Sequence, residues 1–457
     1  MTTLQDRGDD TRVDDTPLAR AISPRLLALF ITGDILGAGI YALVGEVAGE
    51  VGGAIWASFL VAFGLAALTA FAYAELVTKY PHAAGAALYV NKAFRVPMVT
   101  FVVAIVVMAS GISSAAGASR AFGGDYLSEF VTLPTVLVAI GFLGLIGLVN
   151  FVGIKESIRL NVVMTVIEAG GLLFIVGLGV ATLVNGEGEP GRVLEFTQDG
   201  ALPLAVLSGA TLAFFSFIGF EDSVNVAEEV QDPSRSYPRA LMWGLVAATT
   251  IYLGVALTAS MVVPTDDLAG STAPLLRVVE LGPVDVPLRL FAAVALFALF
   301  NTALINMVMA SRLLYGMANQ GIMPRALGRV HPRRRTPWVA IVGTTVLAAA
   351  LAATGDLTDL ADTTVVLLLA VFTVVNICVF VLRRDEVDHD HYRAPLVLPA
   401  LGAAASVVAL VGKVFDAGPG VLVRAALLVL LGIALYVANR AATGRTAAEL
   451  DASRLDS

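Results

Sequence analysis

Long apolar stretches, most of them near twenty residues and separated by short polar or Pro/Gly-rich breaks, dominate this chain. They lack the strict alternation of a barrel strand. About twenty apolar residues is what a helix needs to cross roughly 30 Å of hydrocarbon. Read this way, the pattern predicts helices over residues 26–47, 54–78, 98–118, 134–152, 160–184, 202–229, 240–263, 287–313, 338–354, 363–382, 396–413 and 419–438. The expectation is an all-α integral membrane protein with twelve transmembrane helices.

Composition points the same way, with 57% hydrophobic residues, 14% charged ones and a mean hydropathy of +0.83. Basic residues test the span count, because they gather in cytoplasmic loops. On one side fall Lys79, Lys92, Arg95, Lys155, Arg159, Arg235, Arg239, Arg312, Arg325, Arg329, Arg333 to Arg335, Arg383, Arg384 and Arg393, together with the arginines of both ends. The other side holds Arg120, Arg192, Arg277, Arg289, Lys413 and Arg424 among many acids. Both termini are therefore expected in the cytoplasm, with the chain multi-pass in a cell membrane. Residues 1–22 read as a disordered cytoplasmic tail without a cleaved signal, 23–440 as one transmembrane domain and 441–457 as a second tail. The net charge of −8 lies mostly in tails and loops and the basic residues do not form one soluble patch, so nucleic acid is not an expected partner. The single cysteine, Cys378, excludes an internal disulfide, and nothing calls for a cofactor.

Two stretches break the apolar pattern. "FFSFIGFEDSVNVAEEV" (214–230) places Glu221 and Asp222 just after Gly219, and apolar residues then resume. Its span, 202–229, is 28 residues long, about 42 Å if helical and longer than a straight crossing. "ITGDILGAGIYALVG" (31–45) crowds Gly33, Gly37 and Gly39 around Asp34. Glycines in membrane helices often serve close packing, and an acid beside a span often sits among headgroups. The two sites together predict paired discontinuous helices, the first and the sixth. Opened peptide groups in hydrocarbon cost several kcal/mol each unless a ligand, ion or water satisfies them, so binding is the natural reading.

"GAGIY" (37–41), "AYAELVTKYPHAAGAALYVNKAF" (72–94), "FFSFIGFEDSVNVAEEVQDPSRSYPRAL" (214–241) and "ASRLLYGMANQGIMPRAL" (310–327) resemble the amino acid, polyamine and organocation transporter superfamily, above all its prokaryotic amino acid permeases. That resemblance implies a LeuT-like five-plus-five inverted repeat, about 23–184 and 202–382, with extra helices at about 396–438. It also implies secondary active transport of amino acids, with the substrate at the opened backbone of spans one and six. By similarity, Gly37, Ala38 and Gly39 face the carboxylate, Ile35 belongs to the same substrate-binding stretch, Phe217, Ile218 and Gly219 offer acceptors to the amine, Phe215 packs on substrate, and Glu221 sits where some exchangers carry a gating glutamate. A half-helix N-terminus suits a carboxylate, and unwound carbonyls suit an ammonium.

Coupling points to Asp34, Glu168, Asn301 and Thr302. Counted from the charged ends of their helices, Asp34 and Glu168 lie roughly 12 Å deep and Glu221 roughly 15 Å, with Asn301 and Thr302 near the same level. The resemblance puts spans one, five and eight side by side at the ion site of sodium-coupled relatives. Some proton-coupled permeases place a lysine where "TVIEAGG" (165–171) has Glu168. A carboxylic acid in hydrocarbon stays neutral by binding a proton or stays charged beside a cation. A proton is the favoured coupling ion. Sodium, held by the carbonyls of Gly33 and Leu36 with Glu168 and Thr302, stays an alternative, as do amino acid or polyamine exchange and a purely structural role for the two acids.

Other features are weaker. The stretch after Pro81 predicts a short interfacial helix between spans two and three, with His82 solvated. "HPRRRTP" (331–337) enforces topology and suits anionic headgroups, and "DEVDHDH" (385–391) reads as a solvated loop rather than a metal site. A channel, the less favoured alternative, needs a continuous pore with a filter, whereas these polar groups gather in one mid-membrane layer; an enzyme needs a nucleophile, base or metal constellation, to which the scarcity of His and Cys gives little support.

Overall fold

The computed structural model describes residues 22–81, 85–153, 158–197, 202–319, 321 and 323–443. The expected tails lie outside these, apart from Ile22 and the last helix turn, as do His82 and Lys155. Because backbone in hydrocarbon must satisfy its own N–H and C=O groups, the apolar runs become helices. In chain order these are α1 (Pro24–Ile35), α2 (Ala38–Val51), α3 (Ile55–Lys79), α4 (Gly85–Phe94), α5 (Pro97–Phe122) and α6 (Asp125–Ser128). Next come α7 (Thr135–Val152), α8 (Ile158–Asn185), α9 (Leu202–Phe215), α10 (Pro233–Val262), α11 (Thr265–Ala269) and α12 (Pro274–Glu280). The last five are α13 (Leu288–Asn319), α14 (Trp338–Thr354), α15 (Leu357–Leu382), α16 (Val397–Asp416) and α17 (Pro419–Thr443). Among the described residues there are no strands, only two isolated bridges.

Among the described residues nine helices are long and apolar enough to cross a bilayer, and the bent pair α1–α2 makes a tenth. α9 and α14, with 14 and 17 residues, fall short, so length and composition alone do not reach twelve. Span six also departs from a plain helix. After α9 the chain turns through 216–219 and continues as a 3₁₀ segment, Phe220–Glu229, tighter and longer per residue than the expected α-helix. The short helix expected after Pro81 is α4, which buries Leu88, Tyr89 and Val90.

The packing repeats when spans are shifted by five. α1 lies on α8 as α9 lies on α15, α8 meets α10 as α15 meets α3, and α8 meets α13 as α15 meets α5. Spans one and six pack on each other through α2 and α9, as do the equivalent partners α3/α10, α5/α13 and α7/α14. This internal two-fold pattern is that of the five-plus-five fold, with α16 and α17 added beside α15. It brings both broken spans to the middle of the bundle.

Candidate functional site

Span one opens over two residues. α1 ends at Ile35, the N–H of Gly37 turns back to the Ile35 carbonyl (2.7 Å), and α2 starts at Ala38 after a 43° bend. The Ala38 N–H, one of the free donors of a helix's first turn, is taken by Thr302 Oγ1 of α13 at 3.0 Å. Gly37 is needed for that approach, since a Cβ there would stand 2.9 Å from the same oxygen.

Span six opens through tight turns: the N–H groups of Ser216, Phe217 and Ile218 reach back to the carbonyls of Ala213, Phe214 and Phe215 at 3.0, 2.9 and 3.3 Å. Gly219 holds φ +128, a conformation that side chains disfavour, and a Cβ there would land on the Asp34 carbonyl. The two breaks therefore touch. Glu221 bends back so that its Oε2 accepts the Gly219 N–H (2.9 Å), and the Gly219 carbonyl accepts from Asp222 N–H (3.0 Å).

A third helix ties them together. The Tyr252 hydroxyl of α10 lies 2.6 Å from the Ile35 carbonyl and 2.9 Å from that of Ser216. Phe59 and Phe217 hold its ring, with centroids 5.8 and 5.3 Å away. The Ser216 Oγ beside it is buried and has no hydrogen-bond partner among the described residues. Gly39 abuts this serine, and a Cβ there would lie 2.6 Å from Ser216 Cα.

Glu168 of α8 is 0% exposed. Its Oε1 accepts from Asn301 Nδ2 at 3.0 Å, its backbone carbonyl accepts from the Tyr41 hydroxyl at 2.9 Å, and its Oε2 has no partner among the described residues. The bases nearest in sequence on α1 and α8, Arg25 and Arg159, lie nine residues before Asp34 and Glu168.

One side of the breaks is sealed. Tyr41, Leu43, Val44, Val47 and Ala48 of α2 are fully buried, and α11 presses the Leu268 carbonyl onto Gly45. Asp125 and Thr272 exchange two hydrogen bonds, 3.0 and 3.1 Å, and the Tyr126 hydroxyl donates to the Tyr41 carbonyl at 2.8 Å. On the other side, part-exposed residues follow helical spacing: Phe30, Asp34 and Gly37, then Val107 and Gly111 of α5, then Thr302, Ile305 and Asn306 of α13. α5 is enclosed by other helices, so its part-exposed midpoint faces the interior of the bundle.

Residues 22–437 match the sequence profile of a family described as amino acid permease. The chain belongs to that family. Similar proteins include the branched-chain amino acid permease BcaP of Bacillus subtilis, 25% identical over 441 residues covering 92% of each chain. The methylthioribose transporter of the same organism is 28% identical over 403 residues, 83% of this chain and 85% of its own. The vacuolar cationic amino acid transporter 4 of Arabidopsis thaliana is 30% identical over 392 residues, 81% of this chain but 64% of that transporter.

Of the residues that the permease's sequence singles out, Glu168 and Asn301 meet directly. Thr302 meets Gly37 and Ala38, Asp34 meets Gly219, and Ile35 offers its carbonyl to Tyr252. Phe215 and Phe217 are buried, the latter among aromatic rings, while Ile218 stays part-exposed. Tyr252, Ser216 and Tyr41 escaped sequence reasoning. Their one signal is a hydroxyl in mid-span, which Tyr252 and Tyr41 place on carbonyls and Ser216 leaves without a partner among the described residues. "DEVDHDH" gathers no metal-ligand group of three or more among the described residues.

Proposed function

We propose that this permease takes up an amino acid by alternating access and couples uptake to a proton carried by Glu168. The observation that carries this reading is the Glu168 carboxyl, wholly buried, with one oxygen on Asn301 and the other without a partner among the described residues. A bare anionic oxygen in hydrocarbon is costly, and a proton removes the charge. The same layer holds Thr302 on the first N–H of α2, so loading Glu168 and filling the opened backbone fall to adjoining groups.

In this reading the substrate carboxylate meets N–H groups of the first turn of α2, and the ammonium meets the carbonyls of Phe217 and Ile218. The moving body is α1–α3 with span six and α10. Tyr252 ties its two breaks, and Ile22 ties its ends, donating to the Glu229 carbonyl (2.9 Å) and accepting from Gln231 N–H (3.0 Å). Counting α9 with its 3₁₀ continuation and α14 as crossings gives twelve spans with both termini cytoplasmic, as the arginine bias requires.

Purified permease in liposomes tests this. A thermal-shift screen across the common amino acids identifies the ligand. Its uptake is then driven by an inward proton gradient, with and without sodium. Wild type should accumulate substrate without sodium, whereas Glu168→Gln should lose accumulation and keep counterflow. PH-driven accumulation by Glu168→Gln would remove Glu168 from the coupling step, and a strict sodium requirement would replace the proton.

A further inference from the structure

Between Arg312 and Gly355 the chain carries no acid, while Arg325, Arg329, Arg333, Arg334 and Arg335 fall within eleven residues. The last three are held in a folded knuckle. The His331 N–H donates to the Thr336 carbonyl (2.9 Å), the Arg335 N–H to the His331 carbonyl (2.8 Å), and the Arg334 N–H to His331 Nδ1 (3.3 Å). Thr336 Oγ1 donates to the Phe151 carbonyl at 3.0 Å, and the His331 ring stands edge-on to Phe151 with centroids 5.2 Å apart. The knuckle is thereby fixed to the end of α7. Arg335 keeps φ +56, a left-handed conformation uncommon for a residue with a side chain. All three arginines are exposed, and none has an acid partner among the described residues.

The depth of the knuckle follows from its helices. α7 and α14 are neighbours that touch at Gly147 and Thr345, with 18 and 17 residues. At 1.5 Å per residue they span about 27 and 26 Å, short of the roughly 30 Å hydrocarbon slab. Short apolar helices draw the headgroup boundary toward their ends. Trp338, 40% exposed at the head of α14, is the kind of residue that settles at that boundary. With α14 counted as a crossing, as proposed above, the three guanidiniums just before it fall at the level of lipid phosphates.

We propose that the 331–336 knuckle is a binding site for the phosphodiester headgroup of an anionic phospholipid. Topology alone needs only positive charge, which any loose loop supplies. It does not account for a turn closed by three hydrogen bonds, docked on a neighbouring helix and kept with an arginine in a disfavoured conformation. Guanidiniums bind phosphate oxygens through paired N–H donors, so holding several at a fixed spacing raises affinity over scattered charges.

The test uses the full chain in phosphatidylcholine micelles titrated with phosphatidylglycerol, with bound lipid counted by native mass spectrometry. The triple variant Arg333→Gln, Arg334→Gln, Arg335→Gln is set beside a charge-matched control, Arg235→Gln, Arg384→Gln, Arg440→Gln. Wild type and control should retain phosphatidylglycerol alike, and the knuckle variant should hold its tightest copy about tenfold or more weakly. Thr336→Val, which keeps every charge but undocks the turn from Phe151, should also weaken retention and covers the case in which the triple variant misfolds. Equal retention by all four proteins, or equal loss in both triple variants, overturns the proposal.

Discussion

The hydroxyl of Tyr252 stands 2.6 Å from the carbonyl of Ile35, the last residue of α1, and the same oxygen lies 2.9 Å from the carbonyl of Ser216 in the broken sixth span. A tyrosine has one O–H to give, so two opened peptides share a single donor, and of the two only the Ile35 carbonyl has the Gly37 N–H as well. Tyr252→Phe keeps the ring against Phe59 and Phe217 but takes this donor from the Ser216 carbonyl and leaves the Ile35 carbonyl with the Gly37 N–H alone, at a cost of about 1–3 kcal/mol. The expected outcome is a lower thermal midpoint and weaker ligand-induced stabilisation, read by thermal shift. An unchanged response to ligand would mean that the hydroxyl does not organise the breaks.

Gly37 and Thr302 make a second test, because they are in contact and their effects should not add. Gly37→Ala puts a methyl group 2.9 Å from Thr302 Oγ1 and should push α13 off the Ala38 N–H. Uptake should fall by about tenfold or more, as for a displaced buried hydrogen bond. Adding Thr302→Ala removes the clash, so the double variant should transport better than the two single losses predict. Strict additivity would place the fault elsewhere.

Much of this was legible in the sequence, and the rest was hidden for a physical reason. Glycines beside acids inside apolar runs conflict with a membrane helix, so Gly37 and Gly219 disclosed both breaks. Span positions followed from apolar length, but α10 starts at Pro233 rather than 240, α15 at Leu357 rather than 363, and α13 runs to Asn319 rather than 313, because the polar end turns of a helix carry no apolar signal. Tyr252 and Ser216 gave no such conflict, because a tyrosine or serine in a greasy helix is ordinary until its partner is known. The partner of Tyr252 lies 217 positions away, at Ile35. The turn of Glu221 back onto the Gly219 N–H, and the 3₁₀ form of 220–229, likewise depend on α1 pressing against Gly219, a tertiary fact that no local pattern encodes.

Glu75 and Arg383 join α3 to the end of α15 by two parallel bonds, 2.8 and 2.7 Å, and Glu75 also accepts from the Ala394 N–H at 2.8 Å. Glu75 is only 2% exposed, so removing its partner strands a buried carboxylate. Arg383→Gln should destabilise the fold by about 3–5 kcal/mol, and Glu75→Gln with Arg383→Gln should recover part of that loss. Thermal unfolding of the single and double variants decides whether the pair acts as one unit.

In the loop that this pair anchors, burial pushes the His391 imidazole below its ordinary range, with the nearby charges of Lys79 and Arg393 adding to the effect. Its folded pKa is the lower one, so its neutral form favours the docked loop. That contribution is complete above about pH 6.5, the ordinary histidine value, and is lost as pH falls below it. Amide exchange in 383–394 should therefore quicken on acidification beyond the intrinsic chemical change, and His391→Gln should flatten the difference. A loop equally protected at both pH values in wild type would remove His391 as the cause.

The paired bonds between Asp125 and Thr272 lock α6 to the α11–α12 connection on the sealed side of the site. Opening that side means parting them, together with the bond from Tyr126 to the Tyr41 carbonyl. In the proposed alternating-access cycle these bonds belong to the sealed state, so weakening them shifts the population of states without touching the substrate groups. Thr272→Val removes the acceptor for the Asp125 N–H and keeps the side-chain volume. A loss of about 1 kcal/mol favours the opposite-facing state roughly fivefold. With Cys378 replaced by alanine and Ser216→Cys as reporter, a membrane-impermeant thiol reagent applied from the sealed side should label the Thr272→Val background several times faster than the Thr272 parent. Equal labelling would show that the lock does not hold that face closed.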